Sequence, residues 1–174
     1  MRPRWVFLDR DGTVNVSPQP HEYVTDPADL RLLPGAGAAV ARLNGAGVWV
    51  AIVTNQRALA RGLMTADGLE LVHARLRELL AQHGAHLDGI WVCPHQDGVC
   101  DCRKPLPGLL LQAQAAVDGL HFARAAMVGD SDSDIAAGRA VGALTVRLDA
   151  AGEPGEADLV APDLAAAADL LLSR

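Results

Sequence analysis

The sequence predicts an α/β fold: a central parallel sheet flanked by helices. Three observations predict it. Short apolar runs alternate with longer stretches of helical character along the chain. Glycines stand where those helices should stop, as left-handed caps require. Half of the residues are hydrophobic but only 3% are aromatic. The core must therefore be built from Leu, Val, Ile and Ala, which suits the packing of helices on a sheet.

Each element has its own warrant. Trp5-Val6-Phe7-Leu8 is too short for a core helix, so Arg4–Leu8 reads as a buried strand. A helix over Gly35–Ala46 stops at Gly45 and Gly47, and a strand follows over Val48–Val53. The helix over Ala66–His83 ends at Gly84, before a strand over Gly89–Val92. Pro107-Gly108 opens a helix over Gly108–Val117, stopped by Gly119. A strand over Ala125–Val128 leads into a helix over Asp132–Val141, with Gly142 at its end. The strands Ala143–Arg147 and Asp158–Val160 and the helix Leu164–Leu172 complete the series. Such alternation implies parallel strands joined by right-handed crossovers. No internal repeat, low-complexity tract or linker interrupts it. The 174 residues fit one domain, 1–174.

Composition excludes some classes of function. Fifteen Lys and Arg against 21 Asp and Glu give a net charge of −6. No basic stripe is available to neutralise a nucleic-acid backbone, so no nucleic-acid partner is expected. No apolar run approaches membrane-spanning length. Met1-Arg2-Pro3-Arg4 is basic, but the four apolar residues before Asp9 are too few for a signal peptide. The expectation is a cytoplasmic protein without a membrane partner, acting as a monomer.

Polar residues cluster just after several strands. Asp9 and Asp11 follow the first, Thr54-Asn55-Gln56 the second and Asp130 the fourth. In open α/β sheets the crevice beyond the carboxyl ends of the strands is where ligands bind. Two aspartates at i and i+2 leave a strand on the same side. Held that close they repel, unless a cation sits between them or one keeps its proton. A divalent metal is one answer and a proton-shuttling pair the other. Asp-Gly is also a common turn signal, so the pair can equally be ordinary turn residues. Thr54 can cap a helix or touch a phosphoryl oxygen. Lys104 can be a solvated lysine, or a cation at a phosphate site beside a helix start. Gly129-Asp130-Ser131-Asp132-Ser133-Asp134 holds more carboxylates than capping needs. A metal opposite them would offset their repulsion.

All three cysteines, Cys93, Cys100 and Cys102, lie in one loop with His95. In a reducing compartment such a cluster points to metal more than to a disulfide. Three thiolates and one imidazole suit tetrahedral Zn²⁺ with no open position, a structural site over residues 93–102. The alternative is three buried thiols beside an unrelated histidine. The other histidines, His21, His73, His83, His86 and His121, are scattered and read as surface or core residues.

Taken together, the order Asp9-Arg10-Asp11-Gly12-Thr13, Thr54, Lys104, Gly129-Asp130-Ser131-Asp132-Ser133-Asp134 resembles the four motifs of the haloacid-dehalogenase-superfamily phosphatases. The likeness covers almost the whole chain. Val53-Thr54-Asn55-Gln56, Cys93-Pro94-His95 and Cys100-Asp101-Cys102-Arg103-Lys104-Pro105 resemble a narrower group, the heptose 1,7-bisphosphate 7-phosphatases and histidinol-phosphate phosphatases. Ala60-Arg61-Gly62 followed by Thr65 is closer to the heptose enzymes. The short spacer from His95 to Cys100 is closer to the histidinol enzymes. Gln56-Arg57-Ala58-Leu59 departs from the usual small, Gly-containing heptose pattern, and Ser131 stands where several heptose enzymes carry Lys.

The resemblance implies a Rossmann-like fold without a large cap domain and a Mg²⁺-dependent hydrolase of a small phosphorylated substrate. It implies that Asp9 is a nucleophile forming an aspartyl-phosphate and Asp11 a general acid and base. Thr54 and Lys104 would stabilise the phosphoryl oxygens. Mg²⁺ would be held by the Asp9 carboxylate, the Asp11 backbone carbonyl and Asp130, with Asp134 supporting its waters or orienting Lys104. Cys93, His95, Cys100 and Cys102 would hold Zn²⁺, and Asn55 and Arg103 would contact substrate. The leading expectation is hydrolysis of the 7-phosphate of a heptose 1,7-bisphosphate, with histidinol phosphate as the alternative substrate. A non-catalytic, zinc-stabilised binding module is the alternative of a different class. It would have no need of Asp11 beside Asp9.

Overall fold

The structure, a computed structural model, describes residues 1–18 and 23–174; His21 lies outside them. The strands are β1 (Trp5–Leu8), β2 (Trp49–Asn55), β3 (Gly89–Cys93), β4 (Ala125–Gly129), β5 (Leu144–Leu148) and β6 (Leu159–Ala161). The helices are α1 (Ala36–Gly45), α2 (Ala66–Ala81), α3 (Gly108–Ala116), α4 (Asp132–Ala140) and α5 (Leu164–Leu172). All six strands run parallel in one sheet, ordered β3-β2-β1-β4-β5-β6. Every expected element is present, with ends displaced by a few residues. Two single 3₁₀ turns, Pro27–Asp29 and Phe122–Arg124, were not expected. The first is set by the Asp26 side chain, which accepts from the Ala28 N–H at 2.8 Å.

The sheet is covered on both faces, which explains why its central strands read as unbroken apolar runs. Side chains alternate along each strand. Val6, Leu8, Val50, Ile52, Ala126 and Val128 enter one core with α1, α2 and α5. Trp5, Phe7, Ala51, Val53, Ala125 and Met127 enter the other with α3 and α4. Thr65 caps α2 by accepting from the Gly68 N–H at 3.0 Å, and Asp163 caps α5 through Ala166 at 2.8 Å. No described helix is long and apolar enough to cross a membrane.

The strand order reverses between β1 and β4. At such a switch point the crossovers lead away on opposite sides and leave a crevice above the strand ends. Asp9 and Asp130 stand there, directly beyond neighbouring strands. The ladder continues past β1, since the Asp9 N–H donates to the Val128 carbonyl at 3.0 Å. The floor of the site is therefore built on β1, paired with β2 on one side and β4 on the other. Phe7, fully buried beneath it and edge-on to Trp49 at 5.9 Å, anchors that floor. Replacing Phe7 by Ala should cost about 3–5 kcal/mol of stability, read from the midpoint of urea unfolding.

Candidate active site and metal loop

The site is organised around one buried ammonium. Lys104 Nζ donates to Asp9 Oδ1 at 2.7 Å, to Asp134 Oδ1 at 2.5 Å and to the Val53 carbonyl at 2.8 Å. An ammonium has three protons, and all three are used. Burial alone would lower the Lys104 pKa, but Asp9 and Asp134 outweigh burial and hold it above its ordinary value. Asp134 also serves its own helix. Its second oxygen accepts from the Ser131 N–H at 3.1 Å and the Ser131 hydroxyl at 2.7 Å, closing the first turn of α4.

Carboxylate oxygens of Asp9, Asp130 and Asp134 lie within 4.8 Å of one another. One lysine cannot neutralise three carboxylates. Burial therefore pushes Asp9 up to about 7, with Lys104 opposing and Asp134 and Asp11 adding to the rise. Asp130 is raised for the same reason, burial first and Asp134 second. A hard divalent cation is the species that would relieve this crowding and favour the ionised forms. Gly12, with a φ of +85°, brings a bare Cα against the Asp130 carboxylate. A Cβ at Gly12 would overlap that carboxylate.

Asp11 faces a second network. Its carboxylate accepts from Arg10 Nε at 3.2 Å and from Arg10 NH2 at 3.0 Å to each oxygen. It also accepts from Asn15 Nδ2 at 2.9 Å and Gln56 Nε2 at 3.0 Å. Gln56 Nε2 also donates to the Thr54 hydroxyl at 2.9 Å, so the threonine is tied to the aspartate through one amide. Arg10 is fully buried, and its NH1 lies 3.4 Å from His73 Nε2 on α2. His73 sits in the apolar stripe of α2 with Leu69, Val72, Leu76 and Leu80.

Asn55 clamps Lys104 from the side. Its Nδ2 donates to the Lys104 carbonyl at 3.0 Å and its Oδ1 accepts from the Lys104 N–H at 3.1 Å. Both ends of the amide are occupied by backbone, so the structure places Asn55 as a brace for Lys104. Arg103 lines a pocket of about 460 Å³ with Asn55, Asp97, Lys104 and Ser133.

The cysteine loop closes on itself. Cys93 Sγ lies 3.6 Å from Cys100 Sγ and 3.7 Å from His95 Nδ1, and Cys102 Sγ lies 3.4 Å from Cys100 Sγ and 3.3 Å from His95 Nδ1. No disulfide joins them. Four donors around tetrahedral zinc, with Zn–S near 2.3 Å, stand about 3.8 Å apart, close to this spacing. Burial and the neighbouring sulfurs of Cys93 and Cys100 push Cys102 up to about 12. The donor set fits Zn²⁺. Gly108 lets the start of α3 pack against the Asp101–Cys102 backbone, where a Cβ would collide. Lys104 thus leaves a loop whose three sulfurs and one imidazole converge on one side, with a helix on the other.

A profile of the haloacid dehalogenase-like hydrolases matches residues 2–142. The chain belongs to this family. A 7-phosphatase of D-glycero-β-D-manno-heptose 1,7-bisphosphate from Pseudomonas aeruginosa is 40% identical over 96% of this chain and 97% of its own. The enzyme of the same name from Escherichia coli K12 is 38% identical over 97% of this chain and 87% of its own. The solved heptose bisphosphate phosphatase of B. bronchiseptica, complexed with magnesium and phosphate, superposes with a TM-score of 0.85 at 36% identity, covering 98% of each chain.

Within this hydrolase fold, sequence reasoning brought Asp9, Asp11, Thr54, Lys104, Asp130 and Asp134 to one edge of the sheet, and the structure places them there. It missed Arg10, Asn15, Gln56 and His73. Gln56 carried the signal of a polar residue just after a strand, and His73 that of a polar residue in an otherwise apolar helical stripe. Burial first, then Arg10 and Arg77, lower the His73 pKa from 6.5 to about 4, with Asp11 pulling the other way; Glu70 approaches Nδ1 at 3.8 Å from the exposed side. Because the folded pKa lies below the unfolded one, the unfolded chain binds the extra proton between the two values. Stability should fall as pH drops from about 6.5 to about 4, by up to roughly 3 kcal/mol from this group. His73→Gln, which keeps an acceptor for Arg10, should flatten that part of the pH–stability curve measured by urea unfolding.

Proposed function

We propose that this chain is a Mg²⁺-dependent phosphatase that removes the 7-phosphate of D-glycero-D-manno-heptose 1,7-bisphosphate through an aspartyl-phosphate. The observation that carries the reaction is the Asp9 carboxylate, held by Lys104 beside Asp130 and Asp134 at the switch point. The substrate is supported by likeness to heptose bisphosphate phosphatases over nearly the whole length of both chains.

Asp9 is the nucleophile. Its attack splits hydrolysis into two phosphoryl transfers. Asp11 gives its proton to the leaving sugar oxygen and then takes one from the attacking water. Arg10, Asn15 and Gln56 fix the direction in which that carboxylate faces. Lys104 and Thr54 stabilise charge on the phosphoryl oxygens, the main contribution a protein makes to phosphoryl transfer. Asp9, Asp130 and the Asp11 backbone carbonyl would hold Mg²⁺, with Asp134 orienting Lys104. When bound, the ion supplies charge neutralisation between carboxylates and phosphate and orients the phosphoryl group. Cys93, His95, Cys100 and Cys102 would hold Zn²⁺ and keep the loop that delivers Arg103 and Lys104 in place. Reduced thiols suit the cytoplasm, and the proposal is of a monomer there, without nucleic-acid or membrane partners.

Asp9→Asn should leave the fold intact and abolish turnover, since an amide is nearly isosteric but a poor nucleophile. Asp11→Asn should lower kcat by on the order of 10²–10⁴-fold. Near-wild-type kcat for Asp9→Asn in Mg²⁺ would refute the covalent route. The substrate is tested by kcat/KM on both anomers of the heptose bisphosphate and on histidinol phosphate; a preference for histidinol phosphate overturns the assignment.

Elemental analysis of reduced, chelator-free protein should find about one zinc per chain, because a closed thiolate site couples metal binding to the order of its loop. Cys100→Ser should loosen the loop and lower activity without touching the acid pair. Protein free of zinc but fully active would remove the metal from the proposal.

A further inference from the structure

A chain of polar contacts leads to Asp97 and Arg103 in the wall of the pocket, and it lies outside both the acid cluster and the cysteine cluster. Tyr23 accepts from Arg57 Nε at 3.3 Å. Arg57 NH1 donates to Asp97 Oδ2 at 2.8 Å, and Asp97 Oδ1 meets Arg103 Nε. One carboxylate therefore joins two guanidinium groups from different loops. Arg57 follows β2, and Arg103 follows the last zinc-loop cysteine. Asp97 is 64% exposed, too open for these pairs to stabilise the fold by much.

The orientation it imposes is more informative. With Nε turned to Asp97, Arg103 lines the pocket beside Lys104 and Ser133, and its NH1 is buried with no partner among the described residues. A buried guanidinium donor without an acceptor is costly, and a bound anion is the kind of group that would satisfy it. Lys104 already serves the scissile phosphoryl group in the reading above. The Arg103 side chain, 20% exposed and lining the pocket, is left for another acidic group of the same substrate.

We propose that Asp97 and Arg57 are positioning residues that hold Arg103 to receive a second anionic group of the substrate, away from the phosphate being cleaved. The proposal deepens the phosphatase reading and rests on it. Asp97 acts through Arg103, and Arg57, itself braced by Tyr23, keeps the Asp97 carboxylate from following solvent. The ligand class is a sugar or polyol with two phosphates. A monophosphate without a second acid gains nothing from the arrangement.

The test uses zinc-replete protein in saturating Mg²⁺. Asp97→Asn should raise KM for the heptose bisphosphate by about three- to tenfold, the range expected when one or two exposed pairs are lost. Its kcat should stay within about twofold, and both constants for p-nitrophenyl phosphate should be unchanged. Asp97→Glu should recover part of the loss. In an Arg103→Gln background Asp97→Asn should add nothing further, because the residue through which it acts is gone. An equal KM rise on both substrates, a full additional effect without Arg103, or a KM that falls would each overturn the proposal.

A second readout does not depend on which sugar is native. Glucose 1,6-bisphosphate should inhibit p-nitrophenyl phosphate turnover with a lower Ki than glucose 6-phosphate, and Asp97→Asn should shrink that ratio by the same three- to tenfold, about the KM effect. If the wild type fails to hydrolyse the heptose bisphosphate but shows this ratio, the substrate assignment falls and the role of Asp97 stands. An unchanged ratio in Asp97→Asn rejects the role itself.

Discussion

The Lys104 ammonium is the contact on which the rest of the site depends. It joins the end of β1 through Asp9, the end of β2 through Val53 and the first turn of α4 through Asp134. A buried cation is expensive unless paired and fully hydrogen-bonded, and removing one partner of such a group costs several kcal/mol. Here the cost falls on carboxylates that are themselves crowded. Without Lys104, Asp9, Asp130 and Asp134 would face one another with no cation from the described residues between them. The same charge that suits the site for a phosphoryl group also lets the acid cluster exist.

Around this contact the fold keeps two tasks apart. Asp9, Asp130 and Asp134 gather on one side of the strand ends, where charge is concentrated. Asp11 is turned into a separate cage of Arg10, Asn15 and Gln56, reached from α2 by His73. Two carboxylates one residue apart thus meet different surroundings. One is desolvated and in contact with a cation and other acids. The other is gripped by a guanidinium and two amides. Divergent environments of this kind let paired carboxylates take different parts in one reaction.

Much of this was legible in the chain. The strand-helix order, the glycine stops and the placing of polar residues after strands needed only local pattern. β2 runs on to Asn55, beyond the expected end at Val53, because Thr54 and Asn55 pair with Val92 and Cys93. Polar residues at the close of a strand look like loop until a neighbour supplies their ladder. α2 ends at Ala81 and not at His83, since the chain unwinds ahead of Gly84 at φ +71°. The partnerships that cross the fold left no local trace. Arg10 with His73 spans 63 positions, and Asn55 with Lys104 spans 49. Arg10 stands between two aspartates in the sequence. It is one of the largest fully buried side chains in the described structure.

The Asn55 amide has a consequence for how the site ages or fails. It grips the Lys104 backbone at both N–H and carbonyl, and it stands on β2, outside the cysteine loop. Lys104 is therefore moored twice, once to the sheet and once to the sulfur cluster. Arg103, one residue earlier, has no such mooring to the sheet among the described residues. Loosening of the cysteine loop would therefore reach Arg103 before Lys104, whose backbone the Asn55 amide would still tie to the end of β2.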